Sequence, residues 1–164
     1  MTKAGFPPIG SARLRAGRRS EAGRIYLITF ATESRRKTFS EWELARIAAR
    51  SLCDSLLWRQ SLLMCWVLMP DHWHGLIELG PRESLSMLVR GLKGTCARAV
   101  NLASGHRGAL WASGFHDHGI RYDEELVGVA RYVVLNPVRA GLVARLEQYP
   151  FWDAMWLDQG EHRG

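Results

Sequence analysis

Two apolar segments of this 164-residue chain meet in the stretch Leu68-Met69-Pro70-Asp71-His72-Trp73-His74-Gly75-Leu76-Ile77. Its Pro-Asp pair favours a tight turn, so the stretch predicts a β-hairpin. Side chains alternate between the two faces of a strand, so His72 and His74 share one face and Trp73 points to the other. Two imidazoles on one face can bind a divalent metal, although the pattern also fits two ordinary polar residues on a half-buried strand.

The segments before the hairpin predict a strand and a helix. Residues 24–30 are β-branched and aromatic, which favours a first strand. Ser40 and Glu43 have the spacing of a capping box at the start of a helix. Apolar residues at helical spacing extend this predicted helix to about Arg59.

The segments after the hairpin complete the pattern β-α-β-β-α-β-α. A second helix is predicted over 84–104, with the serine at its start as the cap, and a fourth strand over 111–120. Asp123 can cap a third helix that ends near Asn136, after which the chain turns away over residues 137–143. This order is typical of an α/β (α+β) ferredoxin-like split β-α-β fold. Its antiparallel sheet carries helices on one face, and a C-terminal helix is added.

Composition favours a single domain with a polyanionic partner. We place the domain at residues 24–152, after a basic arm over 1–23 and before a polar tail over 153–164. A net charge of +6 and a pI near 9.7 raise the expectation of a nucleic-acid partner. No apolar run approaches the ~20 residues of a membrane span. The N-terminus lacks the apolar segment of a signal peptide, so a cytoplasmic protein is expected.

Tyr132 and Asn136 form a second group of candidate residues, because their spacing of four places them one turn apart on the third helix. Alone, such a tyrosine can be a packing residue and such an asparagine a cap. Together with His72 and His74, however, an amide oxygen gives a mixed nitrogen and oxygen site suited to Mg²⁺ or Mn²⁺ acting on a phosphoryl oxygen. A tyrosine beside such a metal is a candidate nucleophile if a neighbouring cation or base activates it.

The chain resembles the single-tyrosine HUH transposases, and most closely their REP-associated branch. Three segments carry this resemblance, and together with the order of the elements it covers roughly residues 24–152. The segments are MPDHWH at 69–74, WASGFHDHGIR at 111–121 and RYVVLNPVRAGLV at 131–143. The third segment is the most specific. The ordered combination is stronger than any one segment alone.

This resemblance implies a function and a set of roles. His72 and His74 would be the HUH metal ligands, and Asn136 would take the position of the third ligand, where many HUH enzymes carry a stronger donor. Tyr132 would attack a phosphodiester of single-stranded, hairpin-bearing DNA, leaving a 5′-phosphotyrosine link and a free 3′-hydroxyl that can rejoin strands. Relatives of this kind imply either a monomer or a homodimer.

Several other residues compete for roles at such a site. A second His-x-His pair, His116 and His118, could bind a metal, orient a ligand or contact DNA. The other tyrosines are rival nucleophiles, although none has an asparagine four residues later: Tyr26, Tyr122 and Tyr149. Candidates for DNA phosphate contacts, each of which could instead be an ordinary solvated cation, are Arg121, Arg139, Lys93 and Arg90.

Three hypotheses follow. The first is a metal-assisted DNA strand transferase that works through Tyr132. The alternative is a protein that binds hairpin DNA or RNA and regulates without cutting. The third is a metallohydrolase that uses bound water, in which His72 is required and the tyrosine is not.

Overall fold

The computed structural model describes residues 20–121 and 123–156, with the side chains of residues 123 and 124 left aside. The rest of the predicted basic arm and polar tail, together with Tyr122, lies outside the described residues. Over the described ranges the strands are β1 (Ile25–Ala31), β2 (Leu62–Met69), β3 (His72–Glu78), β4 (His116–Gly119) and β5 (Trp152–Ala154). The α-helices of the same ranges are α1 (Trp42–Leu52), α2 (Leu85–Ser104), α3 (Asp123–Val134) and α4 (Asn136–Arg139). None of them is long and apolar enough to cross a membrane.

The strands form one sheet in the order β4-β1-β3-β2-β5, and every neighbouring pair is antiparallel. β3 lies between β1 and β2, and β1 lies between β3 and β4, so each helical crossover spans an intervening strand. This interlocked arrangement is the split β-α-β fold. The predicted hairpin is confirmed, with Pro70 and Asp71 forming the turn between β2 and β3.

The two faces of the sheet carry different helices. α1 and α2 cover one face, where Phe30, Trp73 and Leu92 belong to a large buried core. α3 covers the other face and buries Val129 and Val133 in a second, smaller core. Alternation along β3 therefore sends the tryptophan of the HWH motif into the core and both histidines towards α3.

α1 is shorter than predicted and lacks the predicted capping box. It begins after Glu41, with no side-chain capping bond, because Ser40 belongs to a separate 3₁₀ turn. The helix ends at Leu52, whose carbonyl oxygen accepts a hydrogen bond of 2.7 Å from Trp58 Nε1. That contact folds the following residues back over the helix end, so the predicted extension to Arg59 is wrong.

Two strand predictions also need correction. The fourth strand covers four residues rather than the predicted 111–120, because Gly114 takes a left-handed backbone conformation (φ 76°). Trp111 makes only an isolated bridge, with Thr32. β5 was not predicted, and two of its three residues fall in the stretch assigned to the polar tail.

The end of the third helix differs in detail from the prediction. α3 ends at Val134, and α4 follows after Leu135, which has φ −83° and ψ 3°. Pro137 lies in the first turn of α4, where a missing N–H breaks no helical hydrogen bond. The chain turns away at Gly141, with φ 72°, which lies within the predicted stretch 137–143.

Candidate active site

The two histidines of the hairpin lie together under α3. The ring centroids of His72 and His74 are 4.7 Å apart with an interplanar angle of 85°. Both side chains are partly buried. The strand places them as its alternation predicts, on the face opposite Trp73.

An oxygen atom holds Nδ1 of each ring. Asp71 Oδ1 lies 2.6 Å from His72 Nδ1, and Thr29 Oγ1 lies 2.6 Å from His74 Nδ1. An ionised carboxylate can only accept, so His72 Nδ1 carries the proton in that bond. With Nδ1 engaged in both rings, Nε2 is the nitrogen through which each histidine can bind a metal.

The hairpin turn is itself fixed by the chain that follows β1. The carbonyl oxygen of Asp71 accepts a hydrogen bond from the backbone N–H of Thr32 at 2.9 Å. Asp71 Oδ2 lies 3.6 Å from a guanidinium nitrogen of Arg35. The carboxylate beside His72 is therefore restrained by its backbone and by a neighbouring cation.

Burial keeps both imidazoles in the neutral form that metals bind. Burial, together with the nearby His72, Arg139 and Arg35, lowers the pKa of His74 to about 3. Burial also lowers the pKa of His72, an effect that its bond to Asp71 opposes. At neutral pH a metal would not have to displace a proton from either ring.

Acidification is expected to destabilise the protein below pH 6.5. The unfolded chain protonates His74 near its ordinary pKa of 6.5, whereas the folded chain does so only at about 3. Between these values the folded state binds fewer protons than the unfolded state. The free energy of unfolding therefore decreases as the pH is lowered, by up to about 1.4 kcal/mol per pH unit. Urea denaturation in chelator from pH 7.5 to 5 should show this slope, and His74→Gln should make it shallower. An unchanged slope in His74→Gln, or the same change in the control His116→Gln at an exposed site, contradicts the prediction.

Tyr132 of α3 lies against the histidine pair. Its ring centroid is 6.5 Å from that of His74, with an interplanar angle of 71°. Arg139 of α4 stacks on the phenol ring of Tyr132, with its guanidinium carbon 3.9 Å from the ring centroid. The fold thus brings two imidazoles, a phenol and a guanidinium together from β3, α3 and α4.

Asn136, the predicted third ligand, is the first residue of α4. Its Nδ2 atom is buried and has no hydrogen-bond partner in the described ranges. The nitrogen and oxygen of an amide can exchange places without a change of shape, and a buried orphan amide suits a cation bound through the oxygen. Within the described residues no three His, Cys, Asp or Glu side chains cluster as a metal site, so a third ligand beside the two imidazoles would be of another type, and Asn136 stays the predicted one.

Three of the predicted phosphate-binding residues lie away from the histidine pair. Lys93 donates to the carbonyl oxygens of Ala112 and Gly114 and packs near Phe30, on the α1 and α2 side of the sheet. Arg90 is exposed on the same helix, α2. Arg121 is exposed just after β4 and lines a cleft of about 420 Å³ with residues of that side, Tyr26 and Phe115.

The second histidine pair flanks the first. His116 is opposite Thr29 in the sheet and therefore shares the face of His74. His118 Nε2 lies 3.6 Å from a carboxylate oxygen of Glu125 on α3. The roles predicted for this pair, in binding a metal, orienting a ligand or contacting DNA, stay predictions.

Two of the rival tyrosines have structural roles. The hydroxyl of Tyr149 donates to the carbonyl oxygen of Leu68 at 2.6 Å, and burial raises the pKa of that phenol to about 12. Tyr26 is buried, and its hydroxyl accepts from the backbone N–H of Glu21 at 2.9 Å. The third rival, Tyr122, lies outside the described residues.

Sequence reasoning missed three residues that support the site. Thr29 is a polar residue in the middle of an apolar strand, and Asp71 directly precedes His72, so both left a signal in the sequence. Arg35 left none, because its contact with Asp71 depends on the fold of the loop after β1. These residues would hold the metal ligands rather than bind the metal.

Comparisons with known proteins find similar transposases. A family model described as "Transposase IS200 like" matches residues 22–134. A REP-associated tyrosine transposase of Haemophilus influenzae is 23% identical over 141 residues, which cover 79% of this chain and 78% of that protein. The one of Escherichia coli K12 is 28% identical over 87 residues, covering 52% and 50%. A solved structure of a REP-associated tyrosine transposase bound to a REP hairpin matches with a TM-score of 0.67 at 22% identity, covering 88% of this chain and 84% of that one.

Proposed function

This chain belongs to the family of IS200-like transposases, and we propose on that premise that it cuts and rejoins single-stranded, hairpin-bearing DNA through a covalent tyrosine intermediate. The observation that carries the proposal is the position of Tyr132, whose ring lies 6.5 Å from that of His74. A hairpin as substrate is supported by the solved relative that binds a REP hairpin.

In the proposed reaction, the hydroxyl oxygen of Tyr132 forms a bond to the phosphorus of the scissile phosphodiester. The bond from phosphorus to the 3′-oxygen breaks, which leaves a 3′-hydroxyl on one strand and a 5′-phosphotyrosine on the other. A 3′-hydroxyl can then attack the phosphotyrosine and restore a DNA phosphodiester. One phosphodiester replaces another at each step, so the cycle needs no external energy source.

Arg139 has two proposed duties in this reaction. Its stack on the phenol, at 3.9 Å, restricts the orientation of the Tyr132 ring. The same guanidinium can donate hydrogen bonds to the oxygens of a phosphate that approaches the tyrosine.

The residues present fit a Mg²⁺ or Mn²⁺ ion as the cofactor. Nε2 of His72, Nε2 of His74 and the amide oxygen of Asn136 would hold it, since both Nδ1 atoms are engaged and the amide lacks a partner. Such an ion, when bound, would polarise the phosphoryl oxygen of the scissile group.

Asp71→Asn is expected to weaken Mn²⁺ binding about 10- to 100-fold. An amide can turn its NH₂ towards His72 Nδ1, which favours the tautomer whose Nε2 carries the proton and cannot bind a metal. A Mn²⁺ titration followed by electron paramagnetic resonance measures the affinity without DNA. Asp153→Asn, at an exposed position of β5, is the matched control and should bind Mn²⁺ as the wild type does. Equal affinities in all three proteins would refute the role of Asp71.

The direct test of the function uses hairpin oligonucleotides, and any inverted repeats found beside the coding region supply their sequences. Incubation with Mn²⁺ should give a labelled DNA fragment that migrates with the protein on a denaturing gel. A wild-type protein that binds the hairpin tightly and gives neither adduct nor cleavage with any metal would overturn the proposal.

A further inference from the structure

We propose that exposed cations beyond β1 form a basic platform, made of Arg35, Lys37 and Arg107, which binds phosphates of the single-stranded DNA that flanks the cut. The proposal rests on the proposed function, because it extends the path of a strand held at Tyr132. It assigns DNA contacts to residues outside the sequence motifs of the site.

The platform is continuous with the candidate active site. Ala31, the last residue of β1, is paired with His72 across the sheet, so the loop that follows β1 begins beside the metal-site histidine. Arg35 Nη1 lies 3.6 Å from Asp71 Oδ2, and the other oxygen of that carboxylate contacts His72. A strand leaving the histidine pair at this end of the sheet meets Arg35 first.

A second loop is braced against the first and brings Arg107 to the same end. Arg36 donates to the carbonyl oxygen of Ala109 at 2.7 Å and contacts His106 Nε2 at 3.2 Å. The backbone N–H of Glu33 also donates to the carbonyl oxygen of Leu110 at 2.9 Å. Arg36 therefore links the two loops, and its neighbours Arg35 and Lys37 are held in place by this link.

The backbone of the first loop is held in an unusual conformation. Ser34 and Arg35 both have left-handed φ values, 55° and 54°, which residues other than glycine rarely adopt. The loop keeps this shape with the help of the Thr32 hydroxyl, which donates to the carbonyl oxygen of Arg36 at 2.7 Å. Such strain is typical of functional sites. Here it leaves the Arg35 side chain 58% exposed while its guanidinium stays near Asp71.

The charge of this surface suits a polyanion. The two loops carry Arg35, Arg36, Lys37 and Arg107, while the carboxylates beside them are Glu33 and Asp71, the second of which is already shared with His72. Lys37 and Arg107 are exposed. Single-stranded DNA fits best, because a flexible backbone can follow the loops from a site where the strand is unpaired.

The experiment compares two double variants of equal charge by fluorescence anisotropy. The test variant is Arg35→Gln with Lys37→Gln, and the matched control is Arg46→Gln with Arg50→Gln on the exposed surface of α1. All proteins also carry Tyr132→Phe, so that binding is measured without cutting of the probe. The probes are a hairpin with single-stranded extensions on both sides and the same hairpin without extensions, each titrated over a range of NaCl concentrations.

For the extended probe, the test variant should bind more weakly and show a smaller salt dependence. Each lost contact with a single-stranded phosphate reduces the slope of log K against log salt by about 0.7, so two contacts reduce it by about 1.4. The control should match the parent on both probes, and the test variant should match it on the bare hairpin. An unchanged slope, an equal change in the control, or an equal loss on the bare hairpin would overturn the proposal.

A single variant in the other loop keeps the test valid if the double variant folds poorly. Arg107→Gln should reduce the slope by about 0.7 on the extended probe alone, and no reduction would count against the platform. The result is separable from the proposed function. Adduct formation by the wild type together with an unreduced slope in the platform variants rejects the platform only, whereas a reduced slope without any wild-type adduct rejects only the strand transfer.

Discussion

A Tyr132→Phe variant is expected to form no covalent adduct with a hairpin oligonucleotide, while its affinity for that oligonucleotide is unchanged. The substitution removes the nucleophilic oxygen and leaves the ring to stack between His74 and Arg139. Loss of a nucleophile lowers the rate on the order of 10⁴-fold or more. Adduct formation on a denaturing gel and binding by fluorescence anisotropy measure the two quantities separately.

The control is Tyr26→Phe, which should leave adduct formation intact. The hydroxyl of this buried tyrosine accepts a hydrogen bond from the backbone N–H of Glu21. An undiminished adduct in Tyr132→Phe would show that another residue is the nucleophile, and Tyr122 would be tested next. Cleavage that persists in Tyr132→Phe without any adduct would favour hydrolysis by bound water. Binding without cleavage in every protein would favour a regulator that does not cut.

Trp73→Ala is expected to lower the free energy of unfolding by about 3 to 5 kcal/mol. Trp73 is fully buried and stacks on Phe30 with ring centroids 5.1 Å apart. Its indole also lies over Gly75, where an added Cβ would overlap the ring. Removing this fully buried indole is expected to leave a cavity that the neighbouring side chains fill only in part. Urea denaturation at neutral pH measures the loss.

Trp156→Ala is the matched control for this substitution. Trp156 is 40% exposed near the end of the described chain, so its truncation should change the free energy of unfolding by no more than about 0.5 to 1 kcal/mol. Similar losses in the two variants would mean that burial in the core against Phe30 is not what makes Trp73 important.

The features that local chemistry determines could be predicted from the sequence. Pro70 and Asp71 between two apolar segments predicted the hairpin, and alternation predicted the opposite directions of Trp73 and the histidines. Ser84 accepts a hydrogen bond from Met87 N at 3.2 Å and begins α2, as predicted. In each case the relevant contact joins residues a few positions apart.

The features that depend on distant contacts could not be predicted. α1 ends early because Trp58 folds back on it. β5 has only three residues, too few for a periodic pattern, and it exists because β2 offers it a free edge. The hydrogen bond between Thr29 and His74 depends on the pairing of β1 with β3, whose register the sequence does not reveal.

The short strand β5 has a consequence for solubility. β2, its neighbour, is an eight-residue strand made only of apolar side chains. An open edge on such a strand is a template for pairing with other molecules, and thus for aggregation. β5 occupies this edge with the help of backbone hydrogen bonds from Leu68 N to Phe151 O and from Met155 N to Met64 O, each 2.9 Å. A chain shortened before Phe151 would therefore associate with copies of itself before any defect in DNA chemistry became visible.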